Sequence, residues 1–187
     1  VDDCGLRAAA IQNNGAFILP QGIRFQVPTE PGTPNTVFTS QWDNYPDTAT
    51  IKLDGKARHI YLLMAGSTNS MQSQFNNGEV IVTYMDGDIE RLALRNPTTW
   101  WPIDQDYFID DFGFKRPEPI PPRVDLKTGR IRVLDAADFK GRGGTVESGA
   151  ATVLDMPLDA QKELASLKVH TLANEVVIGL ISATVVR

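Results

Sequence analysis

No stretch of this chain keeps a helical period for the roughly 10–12 residues that a packed helix needs. The best helical windows, at 8–12, 136–139 and 159–165, are all shorter. The core must therefore be built from strands. His59-Ile60-Tyr61-Leu62-Leu63-Met64 is a nearly continuous apolar run between Asp54-Gly55 and Gly66, the pattern of a strand buried on both faces and placed mid-sheet. Residues 79–84 and 89–94 alternate and are joined through Asp86-Gly87, which predicts a hairpin because both residue types tolerate positive φ. A register that sets Val80 and Val82 against Leu94 and Leu92 gives that hairpin one apolar face, and it needs a loop of about three residues or a bulge.

The C-terminal third repeats the signature. Residues 150–156 and 167–172 are strand-like, and 176–186 is a long Val- and Ile-rich run interrupted by Gly179. Ala173-Asn174-Glu175 is expected to turn the last two strands against each other. About ten short strands without a fixed repeat predict an all-β, two-sheet sandwich. Six of the 12 prolines, Pro97, Pro102, Pro117, Pro119, Pro121 and Pro122, fall within 96–122. Proline cannot donate to a central ladder or sit inside a helix, so this stretch reads as loop. With Lys140-Gly141-Arg142-Gly143-Gly144 it forms a long proline-rich loop region at about 96–148 inside one domain spanning 1–187.

Charge and composition remove several function classes. Lys and Arg total 18 against 23 Asp and Glu, a net charge of −5, the wrong sign for a nucleic-acid partner. No apolar run approaches the roughly 20 residues of a spanning helix, so membrane insertion is not expected. Cys4 is the only cysteine, which excludes an internal disulfide and a multi-thiolate zinc site. No cationic, apolar leader precedes Val1, so a secretion signal is expected to have been removed or to lie upstream.

Several segments carry a resemblance. Asp3 with Leu6-Arg7, Gly22-Ile23-Arg24-Phe25, the run from His59 through Ala65-Gly66-Ser67-Thr68-Asn69, and Val82-Thr83-Tyr84-Met85-Asp86-Gly87-Asp88 occur in that order. Asn96 to Pro102 and Leu154-Asp155-Met156-Pro157-Leu158-Asp159 follow. Over 3–107 and 150–186 the chain resembles galactose-binding-like jelly-roll modules appended to large bacterial glycosidase-like proteins, including a C-terminal domain type of unknown function. The resemblance implies a jelly roll, an extracytoplasmic setting (periplasm or bacterial cell surface) and a non-catalytic accessory role in a carbohydrate-active protein. Its partner would be a glycan or the neighbouring catalytic domain of the same polypeptide. It supplies no sugar specificity, since a shared fold is weak evidence of binding.

Within that frame the segment from Asn96 to Tyr107 is the candidate carbohydrate site. Trp100 and Trp101 offer indole faces for the apolar C–H face of a pyranose, Tyr107 adds a third ring, and Asn96, Gln105 and Asp106 offer partners for hydroxyls. A glycan platform requires at least one of the two indoles to face solvent. The competing arrangement puts one tryptophan over the end of the core and the other under the proline loop, because adjacent residues of a strand point to opposite faces. Trp42 and Tyr45, before Pro46, form a second aromatic pair that is expected to pack.

Asp104, Asp106, Asp110 and Asp111 place four carboxylates in eight residues. An EF-hand loop needs an oxygen ligand and then glycine where this chain has Phe108 and Ile109. No metal ligand set is assigned and no cofactor is expected, a structural calcium being the only one the acidic loop leaves open. The same acids could form a glycosidase pair only across a sugar-sized cleft, so an independent glycosidase is the second alternative, after a purely structural domain. His59 and His170 lack zinc-site spacing and read as sheet-surface residues. No catalytic nucleophile is assigned: Cys4 has no sequence signal for a basic partner, and the 141–144 glycines lack the ending of a phosphate loop.

Overall fold

The computed structural model describes residues 2–42, 44–106, 112, 114, 119–139 and 144–187. The helices are short: α1 spans Cys4–Ile11 and α2 spans Ala136–Phe139, with a 3-10 turn at Ser70–Gln72. The strands are β1 (Ala16–Ile18), β2 (Arg24–Gln26), β3 (Val37–Ser40), β4 (Thr48–Lys52), β5 (His59–Ser67), β6 (Asn76–Tyr84) and β7 (Ile89–Arg95). They continue with β8 (Gln105–Asp106), β9 (Arg123–Asp125), β10 (Ile131–Arg132), β11 (Gly144–Thr145), β12 (Ala150–Pro157), β13 (Leu164–Thr171) and β14 (Val177–Val186).

Two antiparallel sheets form the sandwich, a six-stranded sheet in the order β10-β9-β12-β5-β14-β3 and a four-stranded sheet in the order β4-β13-β6-β7. Their facing side chains make one core that includes Ile60, Leu62 and Met64 from β5, Val80 and Val82 from β6, and Leu167 and Val169 from β13. The period of two explains β5. Its even-numbered residues enter this core, while Leu63 enters a second core on the opposite face of the six-stranded sheet, as expected of a strand buried on both sides.

That second core is closed by the N-terminal 27 residues. Leu6 and Ala10 lie one turn apart on α1 and share its buried face. Phe17, Phe25 and Val27 from the β1–β2 ribbon join them over Leu63, Ala151 and Val153. Arg7 locks the cover in place. It pairs with Asp3 at 2.8 Å and donates to the carbonyls of Pro28, Glu30 and Thr33.

The β6–β7 hairpin has a three-residue loop. Tyr84 N donates to the Asp88 carbonyl, Gly87 N donates to that of Tyr84, and Gly87 takes the positive φ of 91° that the turn requires. Val80 faces Leu92 and Val82 faces Glu90, a register displaced by two residues from the predicted one. Because the displacement is even, the apolar face is preserved.

Three sequence expectations need correction. The last two strands do not pair with each other: β13 lies between β4 and β6, and β14 lies between β5 and β3 in the other sheet. The segment joining them crosses the end of the core, where Leu172 N and Ala173 N donate to the Asn77 carbonyl and Val176 is fully buried. The window at 159–165 is a turn running into β13 rather than a helix. Gly179 does not interrupt β14. It pairs with Ala65 and Phe38, and the ladder shifts instead between Leu180 and Ser182.

Candidate functional site

The segment expected to offer an aromatic platform is a packing element. Trp100 is 1% exposed and Trp101 2% exposed, so neither indole faces solvent. Alternation explains both. Trp100 enters the main core and its Nε1 donates to Asn77 Oδ1 at 3.3 Å, whereas Trp101 packs with Ile120 beneath the proline loop and donates to the Pro97 carbonyl at 2.7 Å. Gly66 makes room for the first of these: at its φ of 146°, an added Cβ would collide with the Val177 carbonyl and the Trp100 ring.

Two of the three described polar candidates, Asn96 and Asp106, are likewise committed, while the Gln105 side chain stays exposed. Asn96 is fully buried, its carbonyl accepting from Gln74 N. Two buried oxygens beside this end of the core, Asn96 Oδ1 and Thr68 Oγ1, have no protein partner, and an ordered water is the usual solution for such atoms. Gln105 pairs with Thr145 in the β8–β11 ladder, and its carbonyl accepts from Arg123. Asp106 meets Arg123 and Arg132, each at 2.6 Å, so both of its oxygens are engaged. Tyr107, Asp110 and Asp111 lie outside the described residues, as do residues 140–143 of the glycine-rich tip. Asp104 is exposed.

Arg123, which sequence reasoning missed, organises this end of the sandwich. It is 1% exposed and donates to the carbonyls of Pro102, Gln105 and Ala150 as well as to Asp106. Its guanidinium also lies 5.6 Å from the Trp101 ring centroid. Burial pulls its pKa down to about 10, against the raising effect of Asp106. The signal available in the sequence was an arginine opening a strand just after the Pro121-Pro122 pair.

Chemistry elsewhere is sparse. His59 pairs with Asp155 at 2.8 Å and His170 with Glu79 at 3.2 Å, both on sheet surfaces. Hydrogen bonding with Asp2 pushes the Cys4 thiol up, away from the thiolate a nucleophile needs. Among the described residues no three His, Cys, Asp or Glu side chains converge as a metal site would require. A hollow of about 290 Å³ at the hairpin tip holds Lys162 between Asp86 and Asp88.

A larger groove, about 650 Å³, opens on the outer side of the six-stranded sheet where the N-terminal cover ends. Ala65, Ile103, Val177 and Ile181 line it together with Phe38 and Tyr45, whose rings meet at 6.0 Å and 58°. Trp42 and Tyr45 were expected to pack. They are 50% and 41% exposed and, with Val37 and Phe38, make an apolar edge along β3. Four of the groove's polar side chains, Asp3, Arg7, Asn35 and Thr36, are already bonded. Asn35 donates to Asp3, Thr36 donates to Asn35, and Arg7 is spent on Asp3 and three carbonyls.

No family model matches the chain, and no curated protein matches it. No helix among the described residues is long and apolar enough to cross a membrane.

Proposed function

We propose that the chain is a non-catalytic accessory module of a carbohydrate-active protein, a galactose-binding-like jelly roll held outside the cytoplasm, and that it works by packing on a neighbouring domain of the same polypeptide. The observation that carries this reading is the redistribution of aromatic residues: the adjacent indoles are consumed by the core, while Phe38, Trp42 and Tyr45 stand exposed along one edge. A sugar in the groove would need free donors and acceptors for each displaced hydroxyl hydration. Asp3, Arg7, Asn35 and Thr36 in the groove are instead bonded internally, and its apolar walls suit aliphatic or aromatic side chains of a partner surface. The engagement of both Asp106 oxygens by arginine supports the non-catalytic reading, since it ties down one acid of the pair a glycosidase would use.

Amide exchange of residues 37–45 provides the test, compared between this chain alone and the longer polypeptide that would contain it. Strong additional protection is expected in the longer protein, together with no hydrolysis of aryl glycosides by the chain alone. Equal protection in both, or turnover abolished by Asp104→Asn, would remove the packing or the non-catalytic part of the reading respectively.

A further inference from the structure

Among the described residues no helix or strand packs over the outer face of the four-stranded sheet, and its register can be read position by position. Three rows cross it from β4 to β7: Lys52, Ser166, Thr83 and Ile89; Thr50, Lys168, Ile81 and Arg91; Thr48, His170, Glu79 and Ala93. Arg95 extends β7 on the same side. The alternate residues Leu167, Val169, Val80 and Val82 are buried in the core, so alternation fixes the direction of the rows. The face therefore carries four permanent cations, Lys52, Lys168, Arg91 and Arg95, against the single carboxylate of Glu79, in a chain whose net charge is −5.

We infer that this face is a docking surface for a polyuronate, a glycan bearing carboxylates along its length. Glu79 does not neutralise the face; it accepts from Arg91 at 2.6 Å and meets His170 at 3.2 Å, fixing both side chains in place. Lys52 and Lys168 form no ion pair among the described residues. Lys168 and Arg91 are separated by one intervening strand, a spacing of about 10 Å from two inter-strand steps, which suits carboxylates recurring along an extended sugar chain. Thr48, Thr50, Thr83 and Ser166 supply hydroxyls between the cations for ring hydroxyls.

Other occupants fit less well. No Phe, Tyr or Trp faces outward from these four strands, so the stacking that holds single-stranded nucleic acid, or a neutral sugar, is missing. A sheet face also presents no element to enter a duplex groove. The guanidinium of Arg91 matches a planar carboxylate in two-point geometry. This face lies on the opposite sheet from the β3 edge, so the inference goes beyond the packing proposal and either can fail alone.

Affinity electrophoresis of the whole chain through polygalacturonate, a sulfated polysaccharide and neutral dextran, with DNA binding measured in parallel, tests the assignment. Retardation is expected in polygalacturonate, weakening as salt is raised, and none in dextran. Lys52→Glu with Lys168→Glu should weaken binding by at least about tenfold. The neutral pair Lys52→Gln with Lys168→Gln should weaken it less, and Tyr45→Ser should leave it unchanged. Thermal melts confirm that each variant is folded. Absence of retardation in polygalacturonate, tighter binding to the sulfated polymer or to DNA, or unchanged binding in the folded Lys52→Glu/Lys168→Glu variant would overturn the assignment.

Discussion

The two sheets turn very different outer faces away from their shared core. On the six-stranded sheet, Leu63 lies under α1 and the β1–β2 ribbon and is fully buried, part of a second apolar core. On the four-stranded sheet, Ile81 occupies the comparable outward position with no helix or strand of the described residues over it. It remains 5% exposed, flanked in register by Lys168 and Arg91, whose aliphatic stems can cover it. Cations serve opposite purposes on the two sides. Arg7 and Arg123 are buried and bind backbone carbonyls that hold loops to the sandwich, whereas Lys52, Lys168, Arg91 and Arg95 present charge outward. Composition alone cannot separate the two uses, because only surrounding carbonyls make an arginine structural.

The largest effect should follow from removing a buried cation. Arg123→Ala leaves Asp106 beside a vacated site and the Pro102 and Ala150 carbonyls without their donor. Removing one partner of a buried pair typically costs about 3–5 kcal/mol. Urea denaturation should show that loss, and Arg123→Lys should recover only part of it, since one ammonium cannot reproduce the planar fork. A loss below about 1 kcal/mol would mean that water replaces the guanidinium and that this end of the sandwich is not held by it.

Next comes the equivalence of the two cores. If the N-terminal cover is integral to the fold, Leu63→Ala should cost as much as Leu62→Ala, about 2–5 kcal/mol each, because both leave cavities in packed surroundings. Ile81→Ala on the bare face should cost less. A Leu63→Ala effect as small as that of Ile81→Ala would reduce the cover to a loosely attached flap and erase the contrast between the faces.

Much of this architecture was legible in the sequence, for reasons that also explain what was not. The β5 run and the Asp86-Gly87 hairpin are local signals, and both elements form where their periodicity puts them. The crossing from β13 to β14 is decided by tertiary partners of Thr171, Ala173 and Val176 that no local pattern encodes. The candidate site failed for a related reason. Residue type made Trp100, Trp101 and Asn96 suitable for a sugar, but a strand-like pair of tryptophans beside a proline loop is equally suited to packing, and burial chose packing. Tyr45 and Phe38 carried no such local signal, since their exposure depends on where the N-terminal cover stops.

The smallest effect tests whether Glu79 belongs to the bare face as an organiser of its cations. Burial acts to raise its pKa, but the hydrogen bonds from Arg91 and His170 and their charges outweigh it, holding the carboxyl below its ordinary value of 4.5. Every other charged group on that face, Lys52, Lys168 and Arg95, is cationic and acts in the same direction. A carboxyl whose folded pKa is depressed contributes stability that is present above its unfolded pKa and lost as pH falls through the folded one. Glu79→Gln should therefore be less stable than the parent at about pH 7, with the gap closing as pH drops below about 4.5 and lost once pH is below the depressed folded value. Paired urea titrations across a series of pH values from neutral downward measure this directly. A gap that persists at low pH would mean that Glu79 acts through packing rather than charge, and a gap absent at neutral pH would mean that the Arg91 and His170 contacts contribute nothing in water. In either case the cations of this face would be arranged without their carboxylate, and the two faces would differ only in what covers them.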